Sequence, residues 1–173
     1  RKNMSESAAN VSYENIIPML RRFAYSLTGS APDADDLVQA TFEKILKKGI
    51  PENVEAVKWA FKICRNVWID EYRSHKVRQK ATQAPELQEK QLDPQSARHE
   101  AKEHLAKVNS AMGNLPDDQR SILSLVALKG MSYKEVAAIS GIPVGTVMSR
   151  LSRARTSLIS MLENETGGQS SWK

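Results

Sequence analysis

Three arginines follow a glycine turn near the C-terminal end of the sequence, in the segment GIPVGTVMSRLSRAR (141–155). Arginine donates paired hydrogen bonds to guanine or phosphate, and serine and threonine hydroxyls bind phosphate or a base edge. Helical spacing gathers these side chains on one outward stripe: Thr146, Ser149, Arg150 and Arg153, with Arg155 following. The segment contains no acid, which favours contact with a polyanion over an ordinary solvated helix surface.

The residues around this stripe have the spacing of a helix-turn-helix. Ser132 and Glu135 predict a capping box at the start of the first helix. Gly141 supplies a sharp turn with a predicted positive φ. The second helix has an apolar stripe that would face inward: Val147, Leu151, Ala154 and Leu158. This module therefore predicts a DNA-reading helix held by its own core.

A second group of residues suited to nucleic acid lies on a predicted long helix, residues 52–76. One stripe of this helix carries Trp59, Ile63, Asn66, Asp70 and Arg73, and the basic residues nearby include Lys62, Arg65 and Lys76. Basic residues with an exposed aromatic suit melted DNA, whose bases stack and whose phosphates need cations. From spacing alone, a core tryptophan beside a surface ion pair explains the stripe equally well.

The helix before it, DADDLVQATFEKILKK (33–48), is acidic at its start, where Asp33 is the predicted N-cap, and basic at its end. The helix dipole alone accounts for that charge placement. Asp36, Gln39 and Glu43 nevertheless share a predicted exposed edge beside Leu37, so a protein-docking surface is the second open interpretation.

The whole chain of 173 residues, with a net charge of +5, is patterned as helix nearly throughout. The first helix is predicted over 13–27, and a polar segment with two prolines, ATQAPELQEKQLDPQ (81–95), predicts a flexible linker. We therefore expect an all-α protein of two small helical domains. Their relative arrangement stays open.

Several classes of protein are disfavoured. The sequence shows no membrane span or signal peptide, which predicts no membrane insertion. The lone Cys64 excludes an internal disulfide and predicts a buried thiol in a reducing compartment. The run HEAKEH (99–104) fails the spacing of a metal site, and no catalytic motif appears, so neither metal, cofactor nor enzyme is expected.

In combination, these motifs resemble bacterial sigma factors of the extracytoplasmic-function (ECF) group, over residues 11–162. DADDLVQATFEKILK is similar to sigma region 2.2, and WAFKICRNVWIDEYRSHKVR to regions 2.3 and 2.4. LPDDQRSILSLVALKGMSYKEVAAISGIPVGTVMSRLSRAR is similar to region 4. The resemblance implies a region 2 helical bundle at 11–80, a linker at 81–95 and a region 4 helix-turn-helix at 96–163.

The function implied by the resemblance is that of a subunit directing RNA polymerase to promoters. Region 2.2 would dock on the β′ clamp helices through Asp36, Leu37, Gln39, Phe42 and Glu43, and region 4 on the β subunit. Melted −10 DNA would be bound by Trp59, Lys62, Arg65, Asn66, Asp70, Arg73 and Lys76, with Asn66 and Asp70 at a pocket for a flipped base. Double-stranded −35 DNA would be read by Thr146, Ser149, Arg150, Arg153 and Arg155.

One position departs from the family pattern. Many relatives carry a basic residue where this chain has Met148, which cannot donate a hydrogen bond to guanine or phosphate. The −35 preference is therefore expected to differ, and the promoter consensus stays open.

The family further implies an anti-sigma factor as partner, a cytoplasmic location in bacteria, and a stress or envelope-response regulon. The regulon, its signal, the kind of anti-sigma factor and any tether to the membrane stay open. Two rivals remain: a helix-turn-helix regulator that is not a polymerase subunit, and an adaptor that mimics a sigma factor. The stripe of Trp59, Asn66 and Asp70 disfavours the first, and the arginines of the last helix disfavour the second.

Overall fold

The computed structural model describes residues 13–72 and 96–165, and within these ranges every regular element is helical. The N-terminal module, residues 13–72, contains α1 (Tyr13–Thr28), α2 (Ala31–Lys48) and α3 (Ala56–Val67), which continues into a π-helical segment (Trp68–Tyr72). The C-terminal module, residues 96–165, contains α4 (Ser96–Gly113), α5 (Asp117–Lys129), α6 (Tyr133–Ser140) and α7 (Val144–Glu165). The two-module, all-α prediction is confirmed. The predicted linker lies outside the described residues.

Helix boundaries differ from the predicted ones where a local cap decides them. α2 begins at Ala31 because Ser30, not Asp33, is its N-cap: the Ser30 hydroxyl accepts a hydrogen bond from the Asp33 amide at 3.4 Å. α3 begins only at Ala56, since Val54 closes a turn by donating its amide to Pro51 O at 3.2 Å. The prediction that α3 starts at residue 52 was therefore wrong.

The end of α3 also differs from the prediction. Regular α-helical bonding stops at Val67, and the next five residues form the π-helical segment. A π-helical turn contains an additional residue, so it rotates the residues after it relative to the stripe before it. Asp70, within that segment, is consequently not in simple helical register with Trp59.

The hydrophobic core is continuous between the two modules. Large side chains with no exposed surface come from both: Leu20, Leu27 and Leu37 in the first, Ile122, Leu125 and Val147 in the second. All belong to one contiguous cluster. Because burial of apolar area is the main favourable term in folding, the shared core joins the modules into one compact unit.

Cys64 lies within this core, as predicted, with no exposed surface. Burial raises the pKa of its thiol to about 12, and a hydrogen bond with Thr41 opposes that shift only in part. The thiol is therefore protonated at neutral pH and chemically quiet. Among the helices described, none combines the length and apolarity that a membrane span requires.

Candidate nucleic-acid interface

The helix-turn-helix of α6 and α7 has the local geometry that its sequence predicts. The Ser132 hydroxyl accepts from the Glu135 amide at 3.2 Å, and the Glu135 carboxylate accepts from the Ser132 amide at 2.9 Å. Gly141 adopts φ +68°, a left-handed conformation that costs a residue with a Cβ roughly 1 kcal/mol or more. The capping box and this glycine together set the angle at which α7 leaves the turn.

The two stripes of α7 separate as predicted. Val147, Leu151 and Ala154 are buried, and Leu158 is half-buried. On the other side Ser149, Arg153 and Arg155 are exposed, and Thr146 is half-buried. The hydroxyl of Ser149 donates to the carbonyl of Thr146 at 3.1 Å, which leaves its lone pairs free to accept. Met148 projects from this surface with 53% of its area exposed.

Arg150 occupies the centre of the outward stripe and is not free. Its Nε lies 3.1 Å from Oδ2 of Asp118, in the first turn of α5. About a third of the Arg150 side chain is exposed, 32%, so the guanidinium is reachable from solvent while it is paired. Asp118 is an acid that the sequence analysis had not connected to this surface.

The tryptophan of the N-terminal module is only partly available. Trp59 is half-buried against the core, and the Lys62 ammonium lies 5.5 Å from the centroid of its ring. The indole Nε1 is buried and has no hydrogen-bond partner among the described residues. A cation over an aromatic ring next to solvent is compatible with base stacking, since a base presents a similar flat face.

The predicted stripe of α3 does not form one exposed surface. Ile63 is a core residue, 8% exposed, because that side of α3 packs inward. Asn66 is half-buried and Asp70 exposed, so these two remain accessible beside Lys62. Arg73 and Lys76 lie outside the described residues.

Arg65 differs most from its predicted environment. It is 8% exposed, and its Nε donates to the Ser121 hydroxyl of the C-terminal module at 3.2 Å. Burial lowers the pKa of its guanidinium, and the nearby carboxylate of Asp118 opposes that shift. The expectation that Arg65 holds a DNA backbone is therefore not met in this arrangement, because the C-terminal module covers it.

Comparison with known proteins identifies the family of these two modules. The sigma-70 region 2 model matches residues 13–78, and the sigma-70 region 4 model matches residues 105–158. The ECF RNA polymerase sigma factor EcfG of Rhodopseudomonas palustris is 38% identical over 148 residues, which are 84% of this chain and 80% of that protein. The chain belongs to the ECF sigma factors.

Two solved structures share its fold. The sigma factor RpoE in complex with the anti-sigma factor NepR, from Bartonella quintana, has a TM-score of 0.66 and 30% identity, covering 87% of this chain and 93% of that one. CnrH in complex with the cytosolic domain of CnrY has a TM-score of 0.64 and 26% identity, covering 91% and 94%. As a sigma factor, this protein serves promoter-specific transcription initiation, and the rival of a regulator that is not a polymerase subunit is not favoured.

Helix α2, in region 2 of the sigma factor, has the exposed edge that its sequence predicts. Asp36, Gln39 and Glu43 are exposed, and Phe42 is half-buried, with its ring edge-to-face against Tyr13 at 5.9 Å between centroids. Leu37 has no exposed surface. Its assignment to the docking surface was wrong, because its side of α2 faces the core.

The seam between regions 2 and 4 holds residues that the sequence analysis missed. Arg120 Nε donates to the carbonyl of Ser26 at 2.7 Å, and Asn109 Nδ2 donates to the carbonyl of Gly29 at 2.8 Å. Ser26 lies in the last turn of α1, where the positive charge of Arg120 is favoured, and Gly29 follows directly after that helix. Burial lowers the pKa of Arg120 to about 10, which still leaves it charged at neutral pH.

Arg120 is 1% exposed. One sequence signal pointed to its burial, because this charged residue directly precedes the apolar run SILSLVAL. Nothing local indicated that its partners would be in region 2. The contact of His99 Nε2 with a carboxylate oxygen of Glu103, at 3.0 Å, accounts for part of the HEAKEH run as a solvated helix surface. In the described part of the chain no group of acids, histidines or cysteine is placed to hold a metal.

Proposed function

We propose that the sigma factor holds promoter DNA with two surfaces, duplex DNA with α7 and melted DNA with α3 and the π-helical segment. The observation that carries the proposal is the separation of α7 into a buried apolar stripe and an exposed stripe of arginine and serine. A helix anchored in this way can enter the major groove as a rigid body. Arg150, Arg153 and Ser149 are then positioned for the −35 element, with Thr146 and Arg155 at its margins.

At the −10 element, Asn66 and Asp70 provide amide and carboxylate groups beside the Trp59–Lys62 pair. Bases in a duplex cannot reach such groups. An unpaired base can stack on the Trp59 ring and enter the proposed pocket for a flipped base. Strand opening is then assisted by binding, without any covalent chemistry. Arg65, Arg73 and Lys76 would contact the backbone of the same strand once Arg65 is uncovered.

The exposed edge of α2 is proposed to dock on the β′ clamp helices. Its acidic and amide groups, Asp36, Gln39 and Glu43, are free of ion pairs to described residues, and Phe42 adds an apolar contact. Leu37 supports this edge from within the core. Region 4 would complete the attachment through the β subunit.

We assign region 2 to residues 11–80, the linker to 81–95 and region 4 to 96–163. The protein would act as a non-enzymatic subunit wherever its polymerase works, in the bacterial cytoplasm. The inferred class of target is a stress or envelope-response regulon, as the family implies. Met148 on the −35 surface is expected to give this protein its own promoter preference, because it replaces a donor with a thioether.

Reconstitution tests this function. Purified sigma factor and core RNA polymerase are expected to start transcription at defined sites on a genomic template, where core alone does not. Binding of the sigma factor alone to DNA should be weak and fall with salt, because each surface contacts few phosphates. Failure to obtain any specific start site would overturn the proposal.

An apolar groove between the modules is the proposed site of the anti-sigma factor. It has a volume of about 530 Å³, and its walls come from α1 and α2 on one side and from α4, α5 and α7 on the other. Leu105 and Leu128 line it while 55% and 51% exposed, so two large apolar side chains face solvent in the same groove. Both solved relatives are complexes with an anti-sigma factor, which supports a segment of a NepR-type anti-sigma factor as the occupant.

The groove is tested with NepR of Bartonella quintana as the probe. Leu128→Asp is expected to weaken binding, measured by calorimetry, by roughly tenfold or more, since it places a charge in an apolar contact. Leu46→Asp, at an exposed leucine of α2 outside the groove, is the matched control and should bind like the unchanged protein. Equal binding by both variants would place the partner elsewhere, and no binding would reject this class of occupant.

A further inference from the structure

Asp118 lies where DNA-binding arginines of the two modules meet. Its Oδ2 pairs with Arg150 Nε at 3.1 Å, and its charge is the strongest one that stabilises the guanidinium of Arg65. Arg65 and Arg150 are close enough for their charges to repel. The Ser121 hydroxyl links the group, because it accepts from Arg65 Nε and donates to the carbonyl of Asp118 at 3.1 Å.

The two arginines cannot serve their proposed DNA elements from these positions. Elements centred at −10 and −35 are separated by about 25 base pairs, which is roughly 85 Å along a duplex at about 3.4 Å per pair. Here Arg150 is ion-paired with Asp118, and Arg65 lines the same small pocket as that carboxylate. Regions 2 and 4 must therefore separate before the sigma factor holds both elements at once.

We propose that Asp118 is a shared counter-ion that stands in for a DNA phosphate and holds the sigma factor in a closed state unable to bind its promoter. This inference rests on the proposed function of the two arginines. On opening, Arg65 is released from the seam and Arg150 exchanges the carboxylate for DNA. The same acid thus masks a −10 and a −35 contact.

Some interactions in the structure oppose the closed state, and others favour it. Arg65 is buried, and its Nε donates to a neutral hydroxyl; the desolvation that lowers its pKa opposes closure. The contacts of Arg120 and Asn109 with α1, and the 3.0 Å Lys58–Glu135 ion pair, favour closure. Removing the negative charge of Asp118 should shift this balance, because it removes the strongest charge that offsets the repulsion between Arg65 and Arg150.

The test compares Asp118→Asn with Asp33→Asn in the full chain. Asparagine has nearly the same size as aspartate. It also keeps a side-chain oxygen that can accept the hydrogen bond from the Gln119 amide, which is 3.0 Å long with Asp118. Asp33 is exposed in the first turn of α2, so its replacement makes the same change of net charge at a residue outside the group of Arg65, Asp118 and Arg150. Fluorescent labels on Lys47→Cys and Ser160→Cys, both at exposed positions, report the separation of the modules, while Cys64 stays buried.

Asp118→Asn is expected to lower energy transfer between the labels and to raise the affinity of the free protein for a −35 duplex by about threefold to fivefold over Asp33→Asn. Unchanged energy transfer would overturn the proposal even if affinity rose, because Arg150 alone would then have been masked. Equal affinity of the two variants would overturn it as well. The energy-transfer measurement needs no polymerase, so it is independent of whether reconstituted transcription succeeds.

Discussion

Replacing Arg150 by alanine should lower transcription from a promoter with a −35 element by about 5- to 100-fold. A bidentate arginine–guanine contact contributes about 1–3 kcal/mol of discrimination, and that contact is lost. Arg150 sits in the centre of the outward stripe of α7, whereas the side chains that hold α7 in place are on its opposite side. The affinity for core polymerase, measured by competition with another sigma factor, should therefore stay unchanged.

Arg98→Ala provides the matched control, because Arg98 is an exposed arginine of α4 outside every proposed contact surface. It should transcribe like the unchanged protein. If Arg150→Ala lost core binding in parallel with transcription, its role would be structural and the −35 assignment would fall. Loss of the Asp118 ion pair is expected to cost little stability, since half-exposed pairs of this kind contribute at most about 1 kcal/mol.

Replacing Asn66 by alanine should reduce open-complex formation about tenfold or more, with −35 binding unaffected. Asn66 is half-buried beside the exposed Asp70, so it can present its amide to one unpaired base without supporting the core. A hydrogen-bonding site that loses its donor or acceptor discards most of its selectivity for that base. Permanganate reactivity of unpaired thymines near −10 measures the effect directly.

Asn15→Ala is the control for this variant, as Asn15 is an exposed amide on a different helix, α1. A promoter that is mismatched around −10, and therefore already unpaired there, separates a defect in the base pocket from a defect in melting. Asn66→Ala should remain defective on it, because the pocket and not the melting step is damaged. Full recovery on the mismatched promoter would show that Asn66 acts before strand capture, against the pocket assignment.

Local signals were sufficient to predict the helix-turn-helix. Ser132, Glu135 and Gly141 act within a few residues of themselves, through a capping box and a left-handed turn, and both are found. The alternation of apolar and polar positions in α7 likewise depends only on the helical repeat. The same logic was wrong for the α2 cap, where Ser30 and Asp33 are both good caps and only one can start the helix.

Burial of particular side chains could not be predicted from pattern alone. Leu37 and Ile63 were placed on functional stripes, yet both are core residues, because α2 and α3 are packed on more of their surface than an isolated amphipathic helix would be. The π-helical segment shifts the helical register of the residues after Val67, and nothing in the composition of that segment predicts it. Arg65 is a basic residue, which by its type suits a DNA-binding surface. Its position in the structure is nevertheless in the buried seam between the modules.

The sequence by itself determined the class of fold, the two modules, the helix-turn-helix and the family, because these depend on periodicity, caps and motifs that act over short stretches of chain. Only the tertiary structure decided that the modules are closed on each other. That decision rests on contacts between residues more than fifty positions apart, such as Arg65 with Ser121 and Arg120 with Ser26. An arginine carries the same charge and donors whether it meets a phosphate, a carboxylate or a helix end, so its type alone cannot select the partner.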